Sequence, residues 1–203
     1  MYMIAPRVGI GLTAAAVAGG TAVAVKRGST KAIDRAVRRR IHPRRSPRVT
    51  VVAKGISFLA GPHVHPVASV ALGILLRVER GRGGYGPSAA SVGSWGMDNA
   101  TRIFIHQKRP PKAGPHHSLN RYSYPSGHTT AATAIGVAAA SAVAPDLPRA
   151  RRFLVWATVA GVALAVGWSR LYLDEHWLDD VVGGWMAGTV IGLGAASLNE
   201  SLS

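Results

Sequence analysis

The chain has 203 residues, enough for one domain with a buried core, and none of them is cysteine. The lack of cysteine excludes disulfide bonds, thiolate metal sites and any phosphatase mechanism with a cysteine nucleophile. A net charge of +15 would suit a nucleic-acid-binding protein, but 48% of the residues are hydrophobic and they occur in long blocks. No nucleic-acid-binding motif accompanies the charge. We therefore predict a basic protein that lies against membrane lipids and binds no nucleic acid.

Six segments without charged residues alternate with basic loops along the chain. They are residues 8–25, 62–76, 86–97, 128–145, 153–168 and 181–199. Most are shorter, or richer in Ala and Gly, than the ~20 apolar residues that span a bilayer. One such segment alone would also fit a soluble helical bundle. Six of them favour an all-α fold, a polytopic membrane helical bundle with about six transmembrane helices, as a single domain over 1–203.

The first apolar segment also has features of a secretory signal. Arg7 precedes it, and Ala22-Val23-Ala24 near its end could be a cleavage site. Its 18 uncharged residues are more than such signals usually contain. We therefore predict an uncleaved first span.

A strongly basic segment follows the first span. Between Lys26 and Arg48 lie ten Lys or Arg residues and one acid, Asp34. Apolar residues recur every four positions within it, at Ile33, Val37 and Ile41. This pattern predicts a short amphipathic helix on the membrane surface, with a solvated basic loop as the alternative.

Polar residues within or beside the apolar segments are candidates for function. Asp98 and Arg102 lie in the second half of the third predicted helix, residues 86–105, where a charge is costly unless it is paired or hydrated. Their spacing of four also fits a structural ion pair. His63 and His65 could bind a metal, but no third ligand lies nearby in the sequence, and histidines in loops are commoner.

Gly184, Gly188 and Gly192 repeat every four residues in the last predicted helix. Small residues on one helix face let another helix approach closely. We expect this face to pack within the chain rather than to form a dimer.

The tetrapeptide Pro125-Ser126-Gly127-His128 precedes an apolar helix. Ser is a good N-cap, and a helix N-terminus offers free N–H groups that suit a phosphate. Gly127 would let the backbone approach an anion without a Cβ in the way. His128 would point into the same space, where it could pass a proton to a leaving oxygen.

His176 and Asp180 are four residues apart at the start of a predicted helix and so share a face. The carboxylate can accept the N–H of one imidazole nitrogen and leave the other nitrogen free to attack. Asp179 points about 100° away. Asp174 and Glu175 could instead complete a metal site with His176, a weaker interpretation because no Asp-rich repeat or His-x-x-x-His pair is present.

Three arginines, Arg102, Arg109 and Arg170, lie at segment edges near these motifs. A guanidinium binds two phosphate oxygens at once and stays protonated. The alternative for any single one is contact with lipid headgroups.

Together these residues resemble the three-part motif of the type 2 phosphatidic acid phosphatase (PAP2) family. The matching pattern is Arg-x6-Arg-Pro, then Pro-Ser-Gly-His, then Ser-Arg-x5-His-x3-Asp, over residues 102–180. The resemblance implies a helical, metal-independent membrane phosphatase without a cofactor. Arg102 departs from the family pattern, which usually has lysine there.

The resemblance also implies a role for each residue of the motif. His176 would be the nucleophile that forms a phosphohistidine, Asp180 would orient it, and His128 would be the general acid. The residues implied to bind the phosphate are Arg102, Arg109, Ser126, Gly127 and Arg170. Ser169 and Pro125 would support the site.

The expected substrate is a lipid phosphate monoester or diphosphate, such as a polyprenyl phosphate, a prenyl-linked sugar phosphate or a phosphatidate-type lipid. The alternative is a non-catalytic basic membrane protein that binds anionic lipids or a partner enzyme. We expect a multi-pass protein of the cell membrane. The basic segment 26–48 favours a cytoplasmic site by the positive-inside rule, whereas many bacterial members of the family have the site on the opposite side.

Overall fold

The computed structural model describes residues 4–42, 45–80, 84–111 and 121–201, and eight α-helices account for most of them. The helices are α1 (Ile4–Arg27), α2 (Lys31–Ile41), α3 (Pro47–Leu59), α4 (His65–Arg80), α5 (Gly86–Phe104), α6 (Gly127–Val143), α7 (Arg149–Tyr172) and α8 (Leu178–Ser201). Each of the six predicted apolar segments is largely helical. The all-α prediction is therefore confirmed.

Among the described residues, three helices are long and apolar enough to cross a membrane: Arg7–Arg27, Arg149–Tyr172 and Leu178–Ser201. The helices α4, α5 and α6 have 16, 19 and 17 residues and are shorter than these three. The structure thus supports a membrane protein. The count of six spans stays a prediction.

The glycine face of α8 packs against α6, as the spacing predicted. A Cβ on Gly188 would lie 2.6 Å from the carbonyl oxygen of Thr130, and one on Gly192 would lie 2.6 Å from that of Ala134. No side chain fits in that space, so glycine sets the distance between the helices. This contact aligns α6 and α8 side by side, and both begin at the same end of the bundle.

The basic helix α2 lies against the turn between α7 and α8. Arg38 Nε donates to Asp174 Oδ1 over 3.0 Å, and a guanidinium nitrogen of Arg45 lies 2.8 Å from Asp174 Oδ2. Asp34 Oδ1 accepts a hydrogen bond from the Asp179 N–H over 3.2 Å. Because residues 31–41 are helical, the alternative of a loop is wrong there. The buried carboxylate of Asp174 is stabilised by Arg38 and Arg45.

Helix α3 precedes α4 in the chain and supports α7. Ser46 caps it by accepting a hydrogen bond from the Val49 N–H over 3.3 Å, and Pro47 occupies its first turn. The buried side chain of Ser57 contacts Arg170 of α7. This packing brings α3 to the edge of the candidate site.

Candidate active site

A cavity of about 170 Å³ lies where the N-terminus of α6 meets the last turn of α7, the turn 173–177 and the second half of α5. Six of the predicted site residues line it: Arg102, Arg109, Gly127, His128, Arg170 and His176. Segments that are up to 74 positions apart in sequence therefore meet at one point. The prediction that the three motifs converge agrees with this geometry.

His176 is held between a carboxylate and a guanidinium. Its Nδ1 lies 3.3 Å from Asp180 Oδ2, and its Nε2 lies 3.3 Å from a terminal nitrogen of Arg109. Because a carboxylate accepts and a guanidinium donates, these partners select the neutral tautomer with the proton on Nδ1. Burial, followed by the charges of Arg170 and Arg109, lowers the pKa of His176 well below 6.5. Nε2 thus keeps its lone pair and accepts from Arg109.

Asp180 is fixed by further hydrogen bonds behind His176. It accepts from the Trp177 N–H at 2.8 Å, the Ser123 hydroxyl at 3.1 Å and the Gln107 amide at 3.0 Å. His176 lies in the turn before α8, which begins at Leu178, rather than on the helix as predicted. The predicted contact forms because Asp180 folds back over the first turn.

Glu175 joins two of the arginines and was considered in the sequence only as a weak metal ligand. It is fully buried, and its Oε2 lies 3.7 Å from Arg109 and 3.8 Å from Arg170. Arg109 also donates to the backbone carbonyls of Glu175, at 2.7 Å, and Tyr122, at 3.3 Å. Buried cations are costly unless an anion lies close by, so the carboxylate of Glu175 stabilises Arg109 and Arg170.

Among the described residues that line the cavity, two arginines each have a buried guanidinium nitrogen without a hydrogen-bond partner. These nitrogens are the Nε atoms of Arg102 and Arg170. A buried donor that is left unsatisfied costs about 1–3 kcal/mol. Both residues line the cavity, so an anion bound there would satisfy them.

Arg102 forms the ion pair that its spacing with Asp98 allowed. A terminal nitrogen of Arg102 lies 2.6 Å from Asp98 Oδ2. The same carboxylate oxygen would lie 2.9 Å from a Cβ on Gly127. Gly127 therefore makes room for Asp98, and its predicted contact with a phosphate stays a prediction.

The remaining predicted residues lie beside the cavity, and their predicted roles stay predictions. Ser126 occupies the N-cap position, but its hydroxyl accepts from Thr129 over 2.9 Å instead of capping a backbone N–H. Ser169 donates to the carbonyl of Val166 over 2.7 Å. Pro125 is fully buried and follows a cis peptide bond.

His65 is a cavity residue that the sequence did not assign to the site. It lines the same space as His128, and its Nδ1 lies 3.1 Å from the hydroxyl of Ser91. The turn before α4 also approaches His128, whose Nε2 would lie 3.7 Å from a Cβ on Gly61. No nearby motif marks this turn, so only the folded arrangement reveals its place.

Asp34 and Asp179 form a close carboxyl pair next to the site, and this pair should make stability depend on pH. Burial, then the charge of Asp179, raises the pKa of Asp34 from 3.8 to about 7. Between these two pH values the folded form holds a proton on Asp34 that the unfolded form has lost. The contribution of this proton to the free energy of unfolding is therefore complete below pH 3.8 and is lost as the pH rises to about 7.

The variant Asp34→Asn keeps a neutral side chain beside Asp179 at every pH. We expect its melting temperature, relative to the wild type, to be higher at pH ~8 than at pH ~5.

Differential scanning fluorimetry of both proteins in detergent measures this difference. Asp146→Asn is the control, because Asp146 pairs with Arg80 near the other end of α7 and is exposed. A relative melting temperature for Asp34→Asn that falls as the pH rises would contradict the raised pKa of Asp34.

Residues 92–201, more than half of the chain, match the sequence profile of the PAP2 superfamily. The chain belongs to this superfamily. Over 97 residues it is 29% identical to phosphatidylglycerophosphatase B of Bacillus subtilis (strain 168), an alignment that spans 47% of each protein. The chain therefore spans about half the length of this curated relative.

Two solved structures are similar in fold to this chain. A transmembrane PAP2-type phosphatidylglycerolphosphate phosphatase from Bacillus subtilis superposes with a TM-score of 0.84 at 22% identity, covering 95% of this chain and 97% of that one. Aquifex aeolicus LpxE gives a TM-score of 0.60 at 21% identity, covering 79% of this chain and 92% of that one. With its long apolar helices, the chain is a membrane protein with the PAP2 phosphatase fold.

Proposed function

We propose that this protein is a multi-pass phosphatase of the cell membrane that hydrolyses a lipid phosphate through a phosphohistidine, without a metal ion. The observation that carries the proposal is the cavity itself. It combines the neutral imidazole of His176 with the unsatisfied donors of Arg102 and Arg170. A non-catalytic lipid-binding protein would use the cations but would leave the His176–Asp180 pair without a role.

The phosphate would bind among the three arginines near the N-terminus of α6. The first N–H groups of that helix have no partner within it and add to the positive potential. Nε2 of His176 then attacks phosphorus, and the bond to the alcohol oxygen breaks. Asp180 stabilises the positive charge that develops on the ring. The guanidiniums neutralise the charge on the phosphoryl oxygens in the transition state.

His128 would serve both halves of the reaction. His128 lines the cavity together with His176, and as an imidazolium it would give a proton to the departing alcohol oxygen. As a neutral imidazole it would then take a proton from the water that attacks the phosphohistidine. The P–N bond breaks, inorganic phosphate leaves, and the imidazolium of His128 and the free Nε2 of His176 are restored. The arrangement needs no metal ion, because arginine supplies the charge compensation.

The substrate class that we propose is a phosphate monoester or diphosphate on a lipid. The two Bacillus relatives are phosphatases of a glycerophospholipid phosphate by name. The lining residues Trp95 and Ala131 add apolar surface beside the phosphate-binding side chains. A lipid would place its phosphate among the arginines and keep its chain in the membrane.

The test is release of inorganic phosphate by purified protein in detergent from a panel of lipid phosphates, with excess chelator. The panel contains phosphatidate, phosphatidylglycerophosphate and a polyprenyl mono- and diphosphate. We expect one or more to be hydrolysed at an unchanged rate with chelator. Hydrolysis that needs an added divalent cation would refute the metal-free mechanism, and no release from the whole panel would refute the substrate class.

A further inference from the structure

A second and larger cavity, of about 540 Å³, lies on the outer side of the loop that follows α5. The end of α1, the first turns of α2 and the residue after His176 close it. Its lining residues are Val25, Lys26, Lys31, Asp34, Arg35, Phe104, Ile105, His106, Gln107, Lys108, Arg109 and Trp177. Arg109 borders both cavities, so the two sites share one wall.

The rim of this second cavity is strongly basic. Lys26, Lys31, Arg35 and Lys108 make no ion pair with an acid among the residues that the structure describes. The acid in the described lining is Asp34, which is buried and faces Asp179. The cations Lys26, Lys31, Arg35 and Lys108 outnumber this carboxyl group, so the described lining carries an excess of positive charge and suits an anion.

One wall of the cavity is apolar. Val25 and Ile105 are buried there, and Phe104 is 68% exposed at its edge. The indole of Trp177 donates to the carbonyl of Lys108 over 2.8 Å, which holds the ring beside the cations. A small hydrophilic anion such as inorganic phosphate would gain nothing from this wall, whereas an acyl chain would.

The position along α1 indicates the depth of the cavity in the membrane. Lys26 and Arg27 end a helix whose preceding residues 8–25 carry no charge. The end of such a span lies at the level of the lipid headgroups, where basic and aromatic side chains are enriched. The rim thus lies where phosphate groups of the bilayer are found.

We propose that this second cavity binds the headgroup of an anionic phospholipid that the enzyme does not cleave. The cations Lys26, Arg35 and Lys108 contact its phosphate, and the apolar wall receives the start of its acyl chains. The loop after α5 separates this cavity from the candidate active site. In that loop, Gln107 donates a hydrogen bond to Asp180, and Arg109 contacts His176. The bound lipid therefore lies against the segment that positions the nucleophile.

Native mass spectrometry of the detergent-purified protein tests this site through lipid retention. The probes are phosphatidylglycerol and phosphatidylcholine, each added at equal concentration. The rim variant Lys26→Gln/Arg35→Gln removes two exposed charges from the cavity rim. The control Arg149→Gln/Arg151→Gln removes two exposed charges at the start of α7, far from the rim. We expect the wild type and the control pair to retain phosphatidylglycerol preferentially, and the rim variant to retain roughly tenfold less.

Excess inorganic phosphate distinguishes a lipid site from a site for the free ion. Phosphatidylglycerol that remains bound in its presence supports the proposal, and displacement by phosphate overturns it. Equal retention by the two double variants also overturns it, as does the absence of headgroup preference. On the unmodified protein, a phosphatidylglycerol with a photoreactive headgroup should crosslink to residues 26–35 or 104–108. Crosslinks confined to other segments would refute the site.

Discussion

Replacing His176 with glutamine is expected to reduce kcat for phosphate release by a factor on the order of 10⁴ or more, because the amide cannot form a phosphoryl intermediate. Glutamine is close in size to histidine and can still donate to Asp180, so the turn before α8 should keep its shape. The loss therefore reports chemistry rather than folding. Release of phosphate from a preferred lipid substrate in detergent measures it.

The matched control is His63→Gln, which changes an exposed histidine in the turn before α4. Its kcat should equal that of the wild type. Acid quenching of the wild type with a radiolabelled substrate should trap an acid-labile phosphoprotein that His176→Gln lacks. A His176→Gln variant that keeps more than a tenth of the wild-type kcat would exclude His176 as the nucleophile.

The helices and the convergence of the motifs could be predicted from the sequence because both depend on local patterns. Uncharged segments must form helices in a membrane, where backbone groups have no water to pair with. Charged residues such as Arg170 and Asp180 then remain at helix ends. Because the helices can pack in only a few ways, these ends are expected to meet on one side of the bundle. Glycines of α8 mark its contact face by spacing alone. The number of membrane-spanning helices is harder to predict, since α4 and α6 are short.

The partners of the predicted site residues could not be predicted, because they depend on how distant helices pack. Glu175 adjoins His176, but the sequence does not show that it faces two arginines. Ser57 contacts Arg170 through the packing of α3 on α7, and Asp98 fills the space beside Gly127. The partners of Asp174 were equally unpredictable. The adjacent acids Asp174 and Glu175 in a basic chain indicate that cations lie nearby, but the sequence does not identify Arg38 and Arg45 as the cations that contact Asp174.

Arg170→Lys should separate charge from geometry at the phosphate site. Arg170 is buried, contacts Ser57 through one terminal nitrogen, and lies 3.8 Å from Glu175 through the other. Its Nε has no hydrogen-bond partner among the described residues, and we expect it to donate to the bound phosphate. Lysine keeps the charge beside Glu175, but its one ammonium group cannot serve all three positions. We expect kcat/KM to fall by ~10²–10³, as when one preorganised donor is removed from a transition state.

The control for this variant is Arg151→Lys, at the exposed start of α7, which should leave kcat/KM unchanged. The role of Ser57 can be tested by introducing Ser57→Ala into both the wild type and Arg170→Lys. In the wild type, Ser57→Ala releases the guanidinium that its hydroxyl positions and should lower kcat/KM, whereas in Arg170→Lys the same change should have little further effect. Additive losses would mean that Ser57 does not act through Arg170. A kcat/KM for Arg170→Lys within twofold of the wild type would mean that the site requires only a positive charge, and the planar fork of arginine would then have no role in binding the phosphate.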